Sequence, residues 1–439
     1  MSRGAQLTND EDSGVLDLAF EDVRQDLQFL EDRRDQLFKE YSQNHNFKLA
    51  KLAETQHRII TQIRERELLG FLGSRNVLPK YGFPSDVVEL RTNHLDSTPE
   101  SSKIELSRDL RVAISEFAPG SEVIAAKRIW TSAGLKTHPR KAWQSQKYIV
   151  CKICGKFYHG QDLPSTCTCG DPLDKAREFL IPETGFIASI EVKMPGEAAP
   201  ERTYASQTFF ADYENEKVKK FHESTEMELD TSFSLVAYKR YSKYGWLALV
   251  NNGHGKGFRI CSTCGFGQVV SFGLGHGGKG IGGHDNPVSG QPCNGTIITR
   301  DLGHHYLTDV LEISIQGIPQ SLRSDPVYKS FLYALLEGAS ESQGIRRDDI
   351  DGTLYYRTFG ESPSFILYDS VPGGAGHVEN IKDHLIDAAK AGLKKMKSCD
   401  CGEDTSCYNC LRNYHNQGIH DSLQRGYAIK LMELLIPNG

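Results

Sequence analysis

All eleven cysteines of this chain fall into three short segments, at spacings that suit a metal ion. The last segment holds two close pairs of thiols: Cys399, Cys401, Cys407 and Cys410. Two close pairs joined by a short loop can place four thiolates at the corners of one tetrahedron, which is the geometry of structural Zn²⁺. The spacing therefore predicts a closed zinc site late in the chain.

Two further clusters repeat this chemistry. One consists of Cys151, Cys154, Cys167 and Cys169. The other has Cys261, Cys264 and Cys293, with His276 or His284 as the fourth ligand. We favour His284, because it lies nearer Cys293 and precedes an Asp-Asn-Pro turn, whereas His276 lies among glycines. The sequence thus predicts up to three structural zinc ions.

Disulfides and a redox pair are the alternative interpretations of close cysteine pairs. Disulfide frameworks belong to short secreted proteins. This chain has 439 residues, and its polar start lacks the apolar stretch of a signal peptide. A thioredoxin-like site needs one C-x-x-C motif, not three paired clusters. We therefore expect reduced thiols and a cytoplasmic location.

The composition is that of a globular, mildly acidic protein. Hydrophobic residues make up 38% of the chain, and the net charge is −6 at neutral pH. Because no apolar run is long enough to span a bilayer, we expect no membrane partner. The acidic balance does not favour a surface coated in nucleic acid, although a local basic patch is compatible with it.

A glycine-rich stretch at residues 273–280 nearly matches the Walker A motif. Gly280 stands where a serine or threonine must follow Lys279 to bind Mg²⁺. Residues 281–287 contain glycines and a proline and cannot form the helix that such a loop requires. No acidic DEAD-type box accompanies it. We therefore expect no ATP hydrolysis by this chain alone.

A second glycine-rich loop, residues 369–377, joins a predicted strand to a predicted helix. Successive backbone N–H groups there could form an anion-binding nest, with the members Gly373, Gly374, Gly376 and His377. The alternative is close strand–helix packing that only glycine permits. No base or nucleophile pairs with Asp369, so we assign no catalytic residue.

Basic and aromatic side chains flank the last cysteine cluster: Lys394, Lys395, Arg412 and Tyr414, with Arg425 and Lys430 beyond. Held together by zinc, they would suit phosphate contact and base stacking on a single DNA strand. The alternative is that Arg412 and Tyr414 pack the zinc site, while the lysines are solvated at a helix end.

Periodicity predicts an α+β fold with three domains. Residues 1–75 carry a heptad seam that predicts an antiparallel helical hairpin over 15–70. Residues 76–320 form a β-rich region with two zinc modules and predicted strands at 87–90, 186–192, 206–210, 233–238 and 246–250. Residues 321–439 form an α/β zinc-binding domain, with predicted helices at 327–338, 377–397 and 422–436 around a strand at 365–368.

Several segments resemble the C-terminal half of bacterial superfamily 2 DEAD/DEAH-type helicases of the mitomycin-repair kind. They include ELSRDLRVAISEFAPGSEVIAAKRIWTSAGL, ILYDSVPGGAGHVENI and CDCGEDTSCYNCLRNYHNQGIHDSL. That half ends in the mitomycin-repair-factor zinc-binding (MZB) domain, and the resemblance covers about residues 68–436. It implies zinc at the last four cysteines and a role beside DNA-dependent helicases, in DNA repair or antiphage defence.

The motor domains of those helicases have no counterpart in this sequence, so ATPase and helicase activity are not carried over. We expect a non-motor accessory subunit that contacts DNA and partners a helicase or ATPase motor in trans, with the N-terminal hairpin as docking arm. Two alternatives stay open: a stand-alone enzyme acting on a phosphate or nucleotide at residues 369–377, and a C-terminal fragment of a full-length helicase.

Overall fold

The computed structural model describes residues 15–64, 87–92, 104, 106–137, 142–195, 206–213, 227–270, 283–356, 362–414 and 416–437. Contacts divide the chain into two compact units, Met1–Ser85 and Asp86–Gly439. None of the described helices combines the length and the apolar character needed to cross a membrane.

The first unit holds two helices, α1 (Val15–Asn44) and α2 (Phe47–Arg64). The chain reverses at His45, which has a left-handed backbone with φ of 46°. The buried apolar side chains are Leu30, Leu37, Ala53 and Ile60. An ion pair joins Arg64, at the end of α2, to Glu31 in the middle of α1, so the helices run antiparallel. The predicted hairpin is confirmed over 15–64, and residues 65–70 lie outside the described part.

The second unit is rich in strands. They are β1 (Val87–Arg91), β2 (Ser107–Asp109), β3 (Glu122–Ala125), β4 (Arg128–Leu135), β5 (Gln144–Val150), β6 (Phe157–His159), β7 (Arg177–Ile181), β8 (Phe186–Lys193), β9 (Gln207–Tyr213), β10 (Glu228–Asp230), β11 (Ala237–Asn251), β12 (Phe258–Cys261), β13 (Gly267–Val269), β14 (His284–Asp285), β15 (Pro292–Cys293), β16 (Ile297–Ile315), β17 (Ile350–Tyr355) and β18 (Ser364–Asp369). Its helices are α3 (Leu110–Glu116), α4 (Asp325–Gln343), α5 (His377–Asp383), α6 (Leu385–Ser398) and α7 (Arg425–Leu435).

These strands form two larger sheets and one small hairpin. A five-stranded sheet has the order β2-β1-β8-β4-β3, and β14 pairs with β15 alone. An eleven-stranded sheet follows the path β10-β11-β16-β7-β5-β6, with β9 on β11, β12 and β18 on β16, β13 on β12, and β17 on β18. The eleven-stranded sheet curls on itself. Its curvature brings Phe157 of β6 onto Phe209 of β9, with ring centroids 4.8 Å apart.

The 19-residue strand β16 organises the second unit. It pairs antiparallel with β11 from Leu302↔Asn251 to Ile315↔Ala237. The strand predicted at 246–250 lies within β11, whereas the strand predicted at 233–238 overlaps it only at residues 237–238, because β11 starts at Ala237. Sequence reasoning missed β16 because buried polar side chains, such as Asp301 and Glu312, interrupt its apolar pattern.

The C-terminal helices share a second core with the inward side chains of β16 and β18. Helices α4 and α6 approach closely through glycine: a β-carbon on Gly338 would lie 2.0 Å from the Ala388 carbonyl oxygen. The helix predicted over 377–397 is divided at His384, whose φ of −123° is not helical. The large sheet includes strands that precede and strands that follow residue 320. The domain boundary predicted near that residue stays a prediction.

Candidate metal centres

The C-terminal cysteine cluster forms directly after α6 ends. Cys399 Sγ lies 3.5 Å from the sulfurs of both Cys401 and Cys407, and Cys410 Sγ lies 3.7 Å from Cys401 and 3.8 Å from Cys407. A tetrahedron of zinc–sulfur bonds of about 2.3 Å has edges of about 3.8 Å. The four sulfurs therefore suit one closed, tetrahedral zinc ion.

A tight turn presents the last two thiols. The Cys407 carbonyl oxygen accepts hydrogen bonds from the N–H groups of Cys410, Leu411 and Arg412, at 3.1, 3.2 and 3.0 Å. The Cys407 N–H donates to Cys410 Sγ at 3.2 Å. Such N–H donors stabilise the thiolate form, which is the form that binds metal.

Arg425, at the start of α7, fixes this cluster to the helices. It is buried, and its guanidinium donates to the carbonyl oxygens of Met396 (2.8 Å) and Cys401. Its own N–H donates to the Thr405 carbonyl oxygen at 2.8 Å. Arg425 therefore has a structural role, which corrects its assignment from the sequence to an exposed basic patch.

The first cluster lies between β5 and β7. Cys151 Sγ is 3.6 Å from Cys169 Sγ, and Cys154 Sγ is 3.5 Å from Cys167 Sγ. The Tyr158 hydroxyl lies 3.2 Å from Cys167 Sγ. Although burial opposes ionisation, hydrogen bonds from the Cys169 backbone and Tyr158 lower the pKa of Cys167 to about 6. Burial raises the pKa of the neighbouring Cys154 to about 12, so Cys167 is the more readily ionised thiol of this pair.

In the middle cluster the structure places His284 beside the cysteines. His284 Nε2 lies 3.2 Å from Cys264 Sγ, and Cys261 Sγ lies 4.0 Å from Cys293 Sγ. Strand pairing of β14 with β15 sets His284 directly opposite Cys293. The alternative ligand, His276, lies outside the described residues, as does the Walker-like loop at 273–280.

The first and middle clusters repeat one turn that the sequence reasoning did not use, C-x-x-C-G. The N–H of Gly155 donates to the Cys151 carbonyl oxygen at 2.9 Å, and the N–H of Gly265 donates to the Cys261 carbonyl oxygen at 3.0 Å. Both glycines have a left-handed backbone, with φ of 73° and 77°. Glycine after the second cysteine therefore closes each turn without steric strain.

All three clusters suit structural zinc. In each set of four residues, the candidate ligand atoms lie within 4.8 Å of one another. Four ligands complete a tetrahedron and leave no open position for a substrate, so these ions would stabilise the fold rather than catalyse a reaction. The predicted cofactor, up to three Zn²⁺, thus fits the geometry.

In the loop at 369–377, carboxylates of the chain itself occupy the position that an external anion would take. Asp369, fully buried at the end of β18, accepts hydrogen bonds from the N–H groups of Ala375 (2.6 Å), His377 (3.1 Å) and Val378 (2.9 Å). An external anion would have to displace this carboxylate before it could use these donors.

Asp309 of β16 completes the same arrangement. Its carboxylate accepts from the Gly376 N–H at 3.1 Å, while the N–H groups of Gly373 and Gly374 donate to main-chain oxygens at 2.7 and 3.0 Å. Burial and the neighbouring Asp369 raise the pKa of Asp309 to about 6. The glycines therefore serve close packing around two carboxylates, which was the alternative interpretation of this loop.

The four residues predicted to contact nucleic acid differ in their surroundings. Lys395 Nζ forms an ion pair with Glu337 at 2.5 Å, and Arg412 Nε donates to Ser406 Oγ at 3.0 Å. Lys394 is exposed on α6, and Tyr414 is 44% exposed. Lys395 and Arg412 thus have partners within the fold, and both Lys394 and Tyr414 present solvent-accessible surface.

The C-terminal cluster lies in a part of the chain that matches a known family model. Residues 331–411 match the family model of MZB, the MrfA Zn-binding domain. All four cysteines of the last cluster lie inside this range. The resemblance predicted from the sequence is confirmed for this MZB-matching region.

One curated protein extends the sequence similarity beyond the MZB-matching region. The chain is 25% identical over 414 residues to Druantia protein DruE of Escherichia coli (strain UMEA 4076-1). That alignment covers 84% of this chain but only 22% of DruE, so the chain spans about a fifth of this relative's length. A crystal structure of the DUF1998 helicase MrfA bound to DNA has a TM-score of 0.36 at 11% identity, covering 75% of this chain and 32% of that chain. A second MrfA structure gives 0.32 at 9% identity, with the same coverage.

Proposed function

We propose that this chain is a zinc-stabilised, non-motor subunit that works with a helicase or ATPase motor on DNA, in antiphage defence or DNA repair. The observation that carries the proposal is the MZB match at residues 331–411 together with similarity to DruE along 84% of the chain. The chemistry of the described residues agrees, since four-ligand sets leave no open metal position and carboxylates of the chain accept the N–H groups of residues 375–378.

The hairpin of the first unit is the proposed docking arm. Around its closed end, Phe47 is 81% exposed and Phe38 is 45% exposed. Tyr41 packs edge-on against Phe47, with ring centroids 6.2 Å apart. Exposed aromatic side chains are the usual anchors of protein interfaces, so this end has the chemistry for a partner with an apolar pocket.

The zinc-bearing turns of the MZB-matching region are the proposed DNA contact. Tyr408, between Cys407 and Cys410, is 64% exposed, and Tyr414, shortly after the last cluster, is 44% exposed. Aromatic rings offer stacking platforms to the bases of a single strand, and nearby lysines such as Lys394 can meet phosphates. Zinc would hold this surface rigid.

A stand-alone enzyme is the less favoured function. An active site at 369–377 would need donors that are free to meet a phosphate, yet Asp369 and Asp309 accept hydrogen bonds from Ala375, Gly376, His377 and Val378.

Affinity purification from the native host tests the proposal. We expect the tagged chain to recover a motor ATPase, identified by mass spectrometry, and the pair to bind single-stranded DNA. Phe47→Ser should abolish recovery of the motor, whereas Ile153→Ser, at a 61% exposed residue outside the hairpin, should not. Recovery of no ATPase would count against the accessory role, and equal recovery with both variants would count against the docking arm.

A further inference from the structure

A notch of about 190 Å³ opens in the curled sheet, beside the first cysteine cluster. The buried side chains of its floor come from β5, β9 and β11: Tyr148, Phe209 and Val250. Three exposed polar side chains line its rim: Lys152, Gln207 and Asn252. A concave site with an apolar floor and a few polar groups is the usual form of a ligand pocket, and this volume suits one ring system.

The aromatic floor is rigid. Phe157 stacks between the two floor rings, with centroids 5.7 Å from Tyr148 and 4.8 Å from Phe209. The Tyr148 hydroxyl donates to Asp301 at 2.6 Å, and Arg177 binds the same carboxylate. Because this hydroxyl is committed to Asp301, Tyr148 offers a ligand no polar group, and its 3% exposed ring adds only a small apolar area to the floor.

The rim provides amides rather than a free charge. The Gln207 side chain makes no hydrogen bond within the described part of the chain. Asn252 uses its Oδ1 to accept from the Gly255 N–H at 3.0 Å, which leaves its NH₂ group available. Lys152 forms an ion pair with Asp174 at 2.7 Å. A ligand at this rim therefore meets neutral hydrogen-bonding groups and a cation that is already paired.

These features select a neutral, flat ligand with hydrogen-bonding edges. An anion would find Lys152, the one cation among the described rim residues, already paired. An aliphatic chain would leave the amides of Gln207 and Asn252 desolvated without partners. Glutamine and asparagine amides pair with base edges, and aromatic floors accept stacked bases. We propose that the notch takes one unstacked nucleobase of a single DNA strand, a site that rests on the proposed DNA contact and extends it to the β-rich region.

The test compares two DNA strands that differ only in their bases. Fluorescence anisotropy of the full chain would use fluorescein-labelled oligothymidylate and an abasic oligomer of equal length and charge. Stacking of one base is worth about 1–3 kcal/mol, so we expect oligothymidylate to bind roughly 5- to 150-fold more tightly. The charge-neutral change Gln207→Ala should weaken that binding by at least about threefold and leave the abasic strand unaffected.

Control variants and competitors separate the outcomes. Gln268→Ala changes an exposed glutamine of β13 and should bind like the wild type. Equal binding of both strands, with no effect of the Gln207 change, would overturn the notch while leaving DNA contact intact. Binding of neither strand would overturn DNA contact by this chain and the notch with it. Competition by N-acetyl-tryptophanamide but not by thymidine would assign the notch to a peptide side chain and overturn the proposal.

Discussion

The carboxylate of Asp309 lies directly against the backbone of Gly374. A β-carbon on Gly374 would lie 2.2 Å from Cγ of Asp309, and the φ of Gly374 is 77°. Asp309 belongs to the central strand β16, whereas Gly374 belongs to the loop between β18 and α5. The contact thus joins the sheet to the start of the C-terminal helices, and both its closeness and its backbone conformation require glycine.

Gly374→Ala should therefore destabilise the second unit more than the matched change Gly376→Ala. Gly376 has nearly the same φ, 79°, but nothing within 4 Å of its added β-carbon. A left-handed alanine costs roughly 1–2 kcal/mol, and overpacking adds roughly 1–3 kcal/mol at Gly374 alone. Urea unfolding of the two zinc-loaded variants measures the difference. Equal losses would show that the Asp309 contact is not the reason for glycine at 374.

The pH dependence of stability should report the buried Asp309 carboxylate. Burial and Asp369 raise its pKa to about 6 in the folded protein, above the value of about 3.9 for an unfolded aspartate. The folded state therefore binds this proton more tightly than the unfolded state does. The resulting contribution to stability is fully present below about pH 4 and is lost as the pH rises through about 6. Asp309→Asn should raise the melting temperature relative to wild type at about pH 8, and the difference should shrink towards pH 5. A constant difference across this range would contradict the assignment.

The metal clusters could be predicted from the sequence because their ligands are local. In Cys407-x-x-Cys410 the turn itself brings the two sulfurs to 3.8 Å, whatever surrounds it. His284 could be preferred on the same ground, since its strand pairs with Cys293 across a short connection. Local spacing fixes such sites, so composition and order along the chain are sufficient.

Long-range partners could not be predicted in this way. Asp309 is hydrogen-bonded to Gly376, which lies 67 residues away in the sequence. No helical or strand periodicity of the sequence predicts that contact. Lys395 forms an ion pair with Glu337, which is 58 residues away in the sequence. The charge of Lys395 is therefore neutralised within the fold. The 369–377 loop therefore looked like an open nest from the sequence, although the tertiary structure supplies both of its acceptors.

Purified, reduced protein should contain close to three zinc ions per chain. Because the sites are closed, the metal contributes folding energy directly. Cys407→Ser should lower the zinc content by about one ion and lower the melting temperature, while Cys154→Ser should remove a different ion. Elemental analysis by mass spectrometry gives the content. One zinc or fewer in the wild type would refute this arrangement of ligands.

The isolated chain should not turn over ATP, with or without DNA. Lys279 is followed by Gly280, which has no hydroxyl to bind Mg²⁺. A coupled phosphate-release assay checks this, with Lys279→Ala as the diagnostic variant. ATPase activity that disappears in this variant would show that the glycine-rich loop is a working nucleotide site.

Lys394 and Lys395 are neighbours on α6, and their replacement should separate DNA contact from stability. Lys394 is exposed, so Lys394→Ala should weaken DNA binding and reduce the dependence of log Kd on log salt by about one phosphate contact. Lys395 instead pairs with Glu337, whose side chain is 12% exposed. Lys395→Ala should leave DNA binding unchanged and cost roughly 1 kcal/mol of stability, a modest loss because Arg347 also contacts Glu337 at 3.0 Å. Anisotropy titrations at several salt concentrations and urea unfolding measure the two effects. If Lys395→Ala impairs DNA binding as strongly as Lys394→Ala, the DNA surface of α6 must include the side that faces α4.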